Sequence, residues 1–161
     1  MVSIVLMVST LKKYKCKLCD KEFYPYTQNN CGASSFFKRI DFDHTQITVE
    51  NIRISTIKNE ITKFKLKKID LLFMDVQGFE LKILKGCEDF IYNIKYILLE
   101  IPNKEINKNF LKEGHSKYIG APSRQEILIF LNDHNFKLEH SFYENELEEN
   151  VLFKNNNFTD V

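Results

Sequence analysis

The residues from Ile69 to Gly86, IDLLFMDVQGFELKILKG, constrain the fold more than any other stretch, because they pass from a strand pattern to a helix pattern across one acid and one glycine. Ile69, Leu71, Leu72, Phe73, Met74 and Val76 make a short, nearly continuous apolar run. Such a run is expected of a strand buried on both faces of a parallel sheet. Asp75 interrupts it near its carboxyl end. Open α/β sheets bind ligands outside the carboxyl ends of their strands, so an acid at that place points to the crevice where chemistry is done. Gly78 permits a tight turn, and Phe79 to Lys85 then reads as a short helix, with Leu81 and Leu84 at i, i+3 and Phe79 and Ile83 at i, i+4. Glu80 falls in the first turn of that helix, where a carboxylate interacts favourably with the dipole.

The flanking sequence extends this alternation. Met1 to Val8 is rich in β-branched residues and reads as a strand that could patch an otherwise open sheet edge. Ile47 to Ile54 reads as another strand, and Ser55 or Thr56 can cap a helix whose apolar face is Ile57, Ile61 and Phe64. Beyond the central stretch, Glu88 to Asn93 forms a short helical turn and Lys95 to Ile101 a second buried strand, ended by Pro102. Glu100 lies near the carboxyl end of that strand, beside the place of Asp75 in a parallel neighbour. Asn103 to Gly120 is a long polar connection. Ser123-Arg124-Gln125-Glu126 has the form of a capping box and opens a helix whose apolar face is Ile127, Leu128, Phe130 and Leu131, with Asn135 as its stop. Phe136 to Phe142 alternates as a half-buried strand with His140 packed within it, Val151 to Lys154 pairs back antiparallel, and the terminal NNNFTDV is expected to fray. The order implies an α/β domain with a mostly parallel sheet and an antiparallel hairpin at its end. Without a repeat or a linker, residues 1–161 form one domain.

Composition removes several classes of function. The 23 basic and 22 acidic side chains leave a net charge of +1, so no global field attracts nucleic acid or an anionic membrane. The apolar start is far shorter than the roughly 20 residues that span a bilayer, and Lys12, Lys13 and Lys15 follow it, unlike a cleavable signal. A cytoplasmic protein is expected. Cys16, Cys19, Cys31 and Cys87 are too scattered for a disulfide scaffold. Cys16 and Cys19 form a single C-x-x-C, and zinc would need two further ligands, for which Cys31 and His44 are the nearby supply. The expected reading is two ordinary thiols on a loop, with no metal.

Asp70-Leu71-Leu72-Phe73-Met74-Asp75-Val76-Gln77-Gly78-Phe79-Glu80, followed by Ile83-Leu84-Lys85-Gly86, resembles without gaps the signature of the FkbM family of S-adenosylmethionine-dependent methyltransferases. That signature runs Asp-Leu, three hydrophobic residues, Asp-Val-Glu/Gln-Gly-x-Glu, then Val/Ile-Leu-Lys-Gly. The resemblance covers roughly residues 30–155, taking in the strand that ends in Glu100 and the stretch Asn150 to Phe153. It implies a Rossmann-like class I methyltransferase sheet, S-adenosyl-L-methionine as cofactor, and methylation of a hydroxyl on a small molecule or sugar. It also sets Gly32-Ala33-Ser34-Ser35 in a loop facing the active site, which makes Asn30, Ser34, Ser35 and Gly78 candidates for contact with substrate.

Methyl transfer needs the donor held in line with the acceptor, so positioning supplies much of the catalysis. A neighbouring carboxylate can orient the acceptor or take its proton, an effect of about 10²- to 10⁴-fold. Asp75 is the first candidate, Glu80 the second, either as an acceptor contact or as a structural carboxylate, and Glu100 the third. For each, the competing possibility is a buried acid paired with backbone donors. The glycines and acid that such families carry after their first strand to hold the cofactor have no counterpart here. Gly32, Gly78, Gly86, Gly114 and Gly120 are the only glycines, and none are spaced as G-x-G. The cofactor-binding residues are therefore unknown from the sequence, and the sheet is expected to be incomplete at its amino-terminal side. That leaves open a domain completed by a homodimer partner or another chain, and, as the alternative to an enzyme, a truncated, non-catalytic binding or assembly module.

Overall fold

A computed structural model describes residues 3–7, 13–16, 35, 37–40, 49–52, 56–104, 115–143 and 146–158. Its main sheet has five strands, which in chain order are β1 (Ser3–Met7), β4 (Ile69–Asp75), β5 (Ile94–Pro102), β6 (Phe136–Tyr143) and β7 (Glu148–Asn155). Their spatial order is β1-β4-β5-β7-β6. A separate parallel pair joins β2 (Lys13–Cys16) to β3 (Val49–Ile52). Among the described residues three α-helices intervene, α1 (Ile57–Phe64), α2 (Glu80–Lys85) and α3 (Arg124–Asp133), with a 3₁₀ turn at Glu88–Asn93 leading into β5.

The expected patch of the β4 edge is present: Ser3 to Met7 run parallel to Leu71 to Asp75, residue for residue. β4 is also parallel to β5, whereas β5 with β7 and β7 with β6 are antiparallel. The sheet is therefore mixed, with the expected antiparallel hairpin at its end. Because β7 is antiparallel to both of its neighbours, β1, β4, β5 and β6 all point the same way and β7 alone runs against them. Among the described residues no helix is long and apolar enough to cross a membrane.

One apolar cluster runs through Ile69, Leu72, Met74, Ile97, Leu99, Val151 and Phe153 of the sheet and Ile57, Ile61, Leu84, Ile127 and Leu131 of the helices. Along β4 the burial alternates, with Leu72 and Met74 fully covered and Leu71 and Phe73 only partly so, a less even covering than the continuous apolar run implies. Thr56 caps α1 by accepting from the Asn59 amide, as its place before the helix predicts. Phe64 departs from expectation: it is 63% exposed, with the Lys63 ammonium 5.1 Å from its ring centroid. The chain turns at Lys65, φ +54, and Leu66 packs on the core instead. α3 carries the predicted capping box, Ser123 accepting from the Glu126 amide while the Glu126 carboxylate accepts from that of Ser123.

Two expectations at the end of the chain fail. His140, expected to pack, is exposed together with Leu138 and Phe142, because β6 is the outer strand and its register slips between Leu138 and His140. The terminal polar run does not start by fraying. Asn155 is fully buried, donates to the Ile94 carbonyl at 3.0 Å and accepts from the Asn157 amide at 3.0 Å. The Asn156 amide reaches the Asn135 carbonyl at 2.9 Å, which fastens the end of β7 to the corner after α3.

Candidate active site

Asp75 and Glu100 are brought together by strand register. Met74 pairs with Leu99, so one residue further on the two acids stand side by side at the carboxyl ends of parallel strands. Like charges directly across a ladder repel. The arrangement is relieved by Gln77, whose Nε2 donates to Asp75 Oδ1 and, at 2.9 Å, to Glu100 Oε2. The amide's other end accepts from the Tyr118 hydroxyl. An amide has two donors on nitrogen and an acceptor on oxygen, and this orientation gives each carboxylate a donor and the hydroxyl an acceptor.

The turn that carries Gln77 follows directly from β4. The Phe79 amide reaches back to the Val76 carbonyl at 3.3 Å, and the two residues between them have positive φ, +53 at Gln77 and +94 at Gly78. Two successive positive φ values mark a type I′ turn. Gly78 meets that need without strain, and it also leaves room for the covering segment: a Cβ there would lie 2.8 Å from Ala121 Cβ and 3.3 Å from Tyr118 Cβ. Glu80, 2% exposed, folds back over the turn, its Oε1 accepting from the amides of Val76 at 3.3 Å and Gly78 at 3.2 Å. Burial pushes its carboxyl up to about 7, against the lowering pull of backbone donors at Glu80, Gly78 and Val76, with Glu148 raising it further.

Two segments remote in sequence close over this turn. The Ile119 amide donates to the Lys38 carbonyl at 2.7 Å and the Ile40 amide to the Lys117 carbonyl at 3.0 Å, which joins Arg39 and Tyr118 in a short antiparallel bridge. From the first segment, the Ser35 hydroxyl donates to the Gln77 carbonyl at 2.6 Å. Phe37 packs beside Phe79, with the Lys82 ammonium about 5 Å from both ring centroids. From the second, Lys117 pairs with Glu148 and Arg124 pairs with Glu149, all four side chains largely buried. Arg124 also donates to the Pro102 carbonyl at 3.1 Å. The Tyr118 hydroxyl is held protonated by burial, reinforced by Glu148, Glu100 and Glu80 and opposed by Arg39.

Of the residues singled out from the sequence, the structure thus brings together Asp75, Glu80, Glu100, Ser35 and Gly78, while Asn30 and Ser34 lie outside the described residues. Gln77 and Tyr118 were not foreseen as members of the site. Gln77 stands in the signature two residues after an acid and just before a glycine, which is a signal of a kind; Tyr118 sits in a polar connection that carries none. Cys87 is buried, its thiol donating to the Ile83 carbonyl at 3.6 Å, and burial pushes it up to about 12. Cys19 and Cys31 lie outside the described residues, and the Cys16 side chain does too. Among the described residues no group of three His, Cys, Asp or Glu side chains is placed to hold a metal.

A mixed sheet with paired acids at the carboxyl ends of adjacent parallel strands defines an α/β protein whose architecture is compatible with a methyltransferase. The family model for the Methyltransferase FkbM domain matches residues 9–138, and the chain belongs to that family. This range takes in the signature, α3 and the start of β6. Neither a curated protein nor a solved structure matches the chain.

Proposed function

We propose that this chain is an S-adenosylmethionine-dependent methyltransferase of FkbM type that methylates a hydroxyl group of a small molecule or sugar. The observation that carries the reading is the adjacency of Asp75 and Glu100 at strand ends, joined by one amide. A hydroxyl must lose its proton as it is methylated. Asp75, only partly buried, is the group to orient the acceptor and take that proton, an effect of about 10²- to 10⁴-fold. Glu100 sustains the negative field beside it. Glu80 has two backbone donors on one oxygen, which favours the structural alternative for its role: it holds the turn.

The chemistry of the donor set suits the proposed cofactor on its cationic side, since the carboxylates of Asp75 and Glu100 stand together at one turn. When bound, S-adenosylmethionine supplies the electrophilic methyl group. Asp75 and Glu100 are the residues that would face its positive charge. Ser35 belongs to the segment that closes the site and excludes water from the reacting hydroxyl. The working place is the cytoplasm, with small molecules rather than nucleic acid or membrane as partners, and a second copy or a completing chain would meet the sheet at its outer strands. A second reading, a non-catalytic binding or assembly module, draws on the same network, because each acid of the pair already has an amide donor.

Calorimetric titration with S-adenosylhomocysteine, followed by transfer of tritium from labelled S-adenosylmethionine to a panel of methyl glycosides, separates the two. The enzyme reading expects micromolar binding and transfer that Asp75→Ala reduces at least about 100-fold. A folded chain that binds no S-adenosylhomocysteine would overturn it in favour of the module.

A further inference from the structure

Gln77 is buried in a backbone conformation, φ +53, that residues with side chains seldom adopt. Strained residues persist where their surroundings over-determine them, and such an outlier is a reason to look for function. Here the surroundings come from several separate parts of the chain. Ser35 fixes the Gln77 carbonyl, Tyr118 fixes the side-chain oxygen, and the side-chain nitrogen spans acids on β4 and β5. Glu80 adds a further restraint by accepting from the next amide along.

Turned by half a revolution, the same amide would present its oxygen to two carboxylates, and the pair would lose its shared donor. The Tyr118 hydroxyl opposes that turn because it donates to the oxygen and, buried against three glutamates, does not ionise. Tyr118 is in turn anchored from outside the site by the Arg39 bridge and by its neighbour Lys117, paired with Glu148 at the start of β7.

We propose that Gln77, set by the Tyr118 hydroxyl, is the positioning residue of the reaction centre: its side-chain NH₂ holds Asp75 and Glu100 side by side and aims the remaining oxygen of Asp75 at the acceptor hydroxyl. The inference rests on the methyl-transfer reading above and adds to it two residues that need not touch the substrate. Tyr118 acts only through Gln77, so the two form one unit. Removing the hydroxyl frees the amide; removing the amide leaves the hydroxyl with nothing to set.

The test has an arm that does not depend on turnover. In ¹H–¹⁵N spectra of the whole chain, the Gln77 side-chain pair, assigned by its loss in Gln77→Met, is expected downfield and slow to exchange. In Tyr118→Phe it should move toward free glutamine and exchange with solvent at least about 10-fold faster. In the second arm, Tyr118→Phe should lower kcat for methyl glycosides about 10- to 100-fold while KM and S-adenosylhomocysteine affinity stay within about twofold. Adding Tyr118→Phe to Gln77→Met should then cost no more than about a further twofold.

An unchanged Gln77 signal in Tyr118→Phe overturns the inference, and so do losses that multiply in the double variant. A fall in melting temperature with kcat unaltered also overturns it, since a purely structural tyrosine behaves that way. Should Tyr118→Phe fail to fold, Gln77→Glu preserves the shape and the acceptor for Tyr118 but replaces the NH₂ donor. It is expected to lose at least as much kcat, and full activity in it overturns the inference. Absence of transfer by the wild-type chain defeats the function proposed above and the catalytic half of this inference with it, while the Gln77 signal still decides whether Tyr118 sets the amide.

Discussion

Replacing Gly78 by alanine tests the closure of the site through a single added carbon. Two costs arise from the geometry. At φ +94 an L side chain collides with its own backbone, for which about 1–2 kcal/mol is typical of left-handed conformations. The new Cβ would also lie 2.8 Å from Ala121 Cβ and 3.3 Å from Tyr118 Cβ, an overpacking that costs about 1–3 kcal/mol because neither atom is the free end of a long side chain. The stiffer unfolded chain offsets about 0.4–1 kcal/mol of this. A net loss of about 3 kcal/mol results, and in a chain of 161 residues it lowers Tm by about 6–12 °C. Urea unfolding followed by circular dichroism reads the loss as a shift in midpoint at constant slope. Gly86→Ala is the control: its φ of −72 suits any residue, and its cost should stay within about 1 kcal/mol. Because the steric share of the loss lies against Ala121, adding Ala121→Gly to Gly78→Ala should recover about 1–2 kcal/mol and leave the backbone share. A Gly78→Ala midpoint equal to that of wild type, or no recovery in the double variant, refutes the packing of the 115–121 segment on this turn.

The remaining predictions concern other anchors of the fold. Asn155→Ala removes a buried amide from the Ile94 carbonyl and a buried acceptor from the Asn157 amide, and should destabilise by about 1–3 kcal/mol in the same urea assay. Glu80, raised from 4.5 to about 7, keeps in the folded chain a proton that the unfolded chain releases between those values, so its contribution is full below about pH 4.5 and is lost as pH rises through about 7. Glu80→Gln retains an oxygen for the Val76 and Gly78 amides, and the stability difference between about pH 5 and pH 8 should shrink by up to about 3 kcal/mol. Phe64→Ser should alter stability by no more than about 0.5 kcal/mol, since the ring stands in solvent at the end of α1, and a larger loss would place it in the core as the helix pattern implies.

What the sequence disclosed and what it withheld divide by range. Strand β4, the turn at Gly78, the caps at Thr56 and Ser123 and the position of Glu100 are local matters, written in apolar runs and in residues with special backbone preferences. Periodicity could not tell that Phe64 lies one turn beyond the core or that β6 is an outer strand, because exposure depends on neighbours that pairing alone decides. Nor could it tell that Asn155 is buried: an asparagine run has the composition of a loose end, and only the approach of the Ile94 carbonyl gives its amide a partner. The acid pair was legible as two separate strand ends, but the amide between them was not. Gln77 and Tyr118 are 41 residues apart, and the hydroxyl meets the amide only once the 115–121 segment lies over the turn.

That long-range meeting explains how so many carboxylates share one small region. Asp75 and Glu100 share a neutral donor, which relieves their repulsion without adding a charge. Glu148 and Glu149, one strand further on, are matched by Lys117 of the covering segment and by Arg124 at the start of α3. Buried pairs of that kind add little net stability, since desolvation offsets their attraction, but breaking one leaves an uncompensated charge. Their effect is therefore on geometry: they fix where the covering segment can sit, and with it the Tyr118 hydroxyl. The acids matched by cations position the covering segment, and the acids at the ends of β4 and β5 are joined by an amide. The proposed reaction, which would take a proton from a hydroxyl in the presence of a cationic donor, calls for acids of that second kind, and Asp75 and Glu100 at the ends of β4 and β5 are the candidates for it.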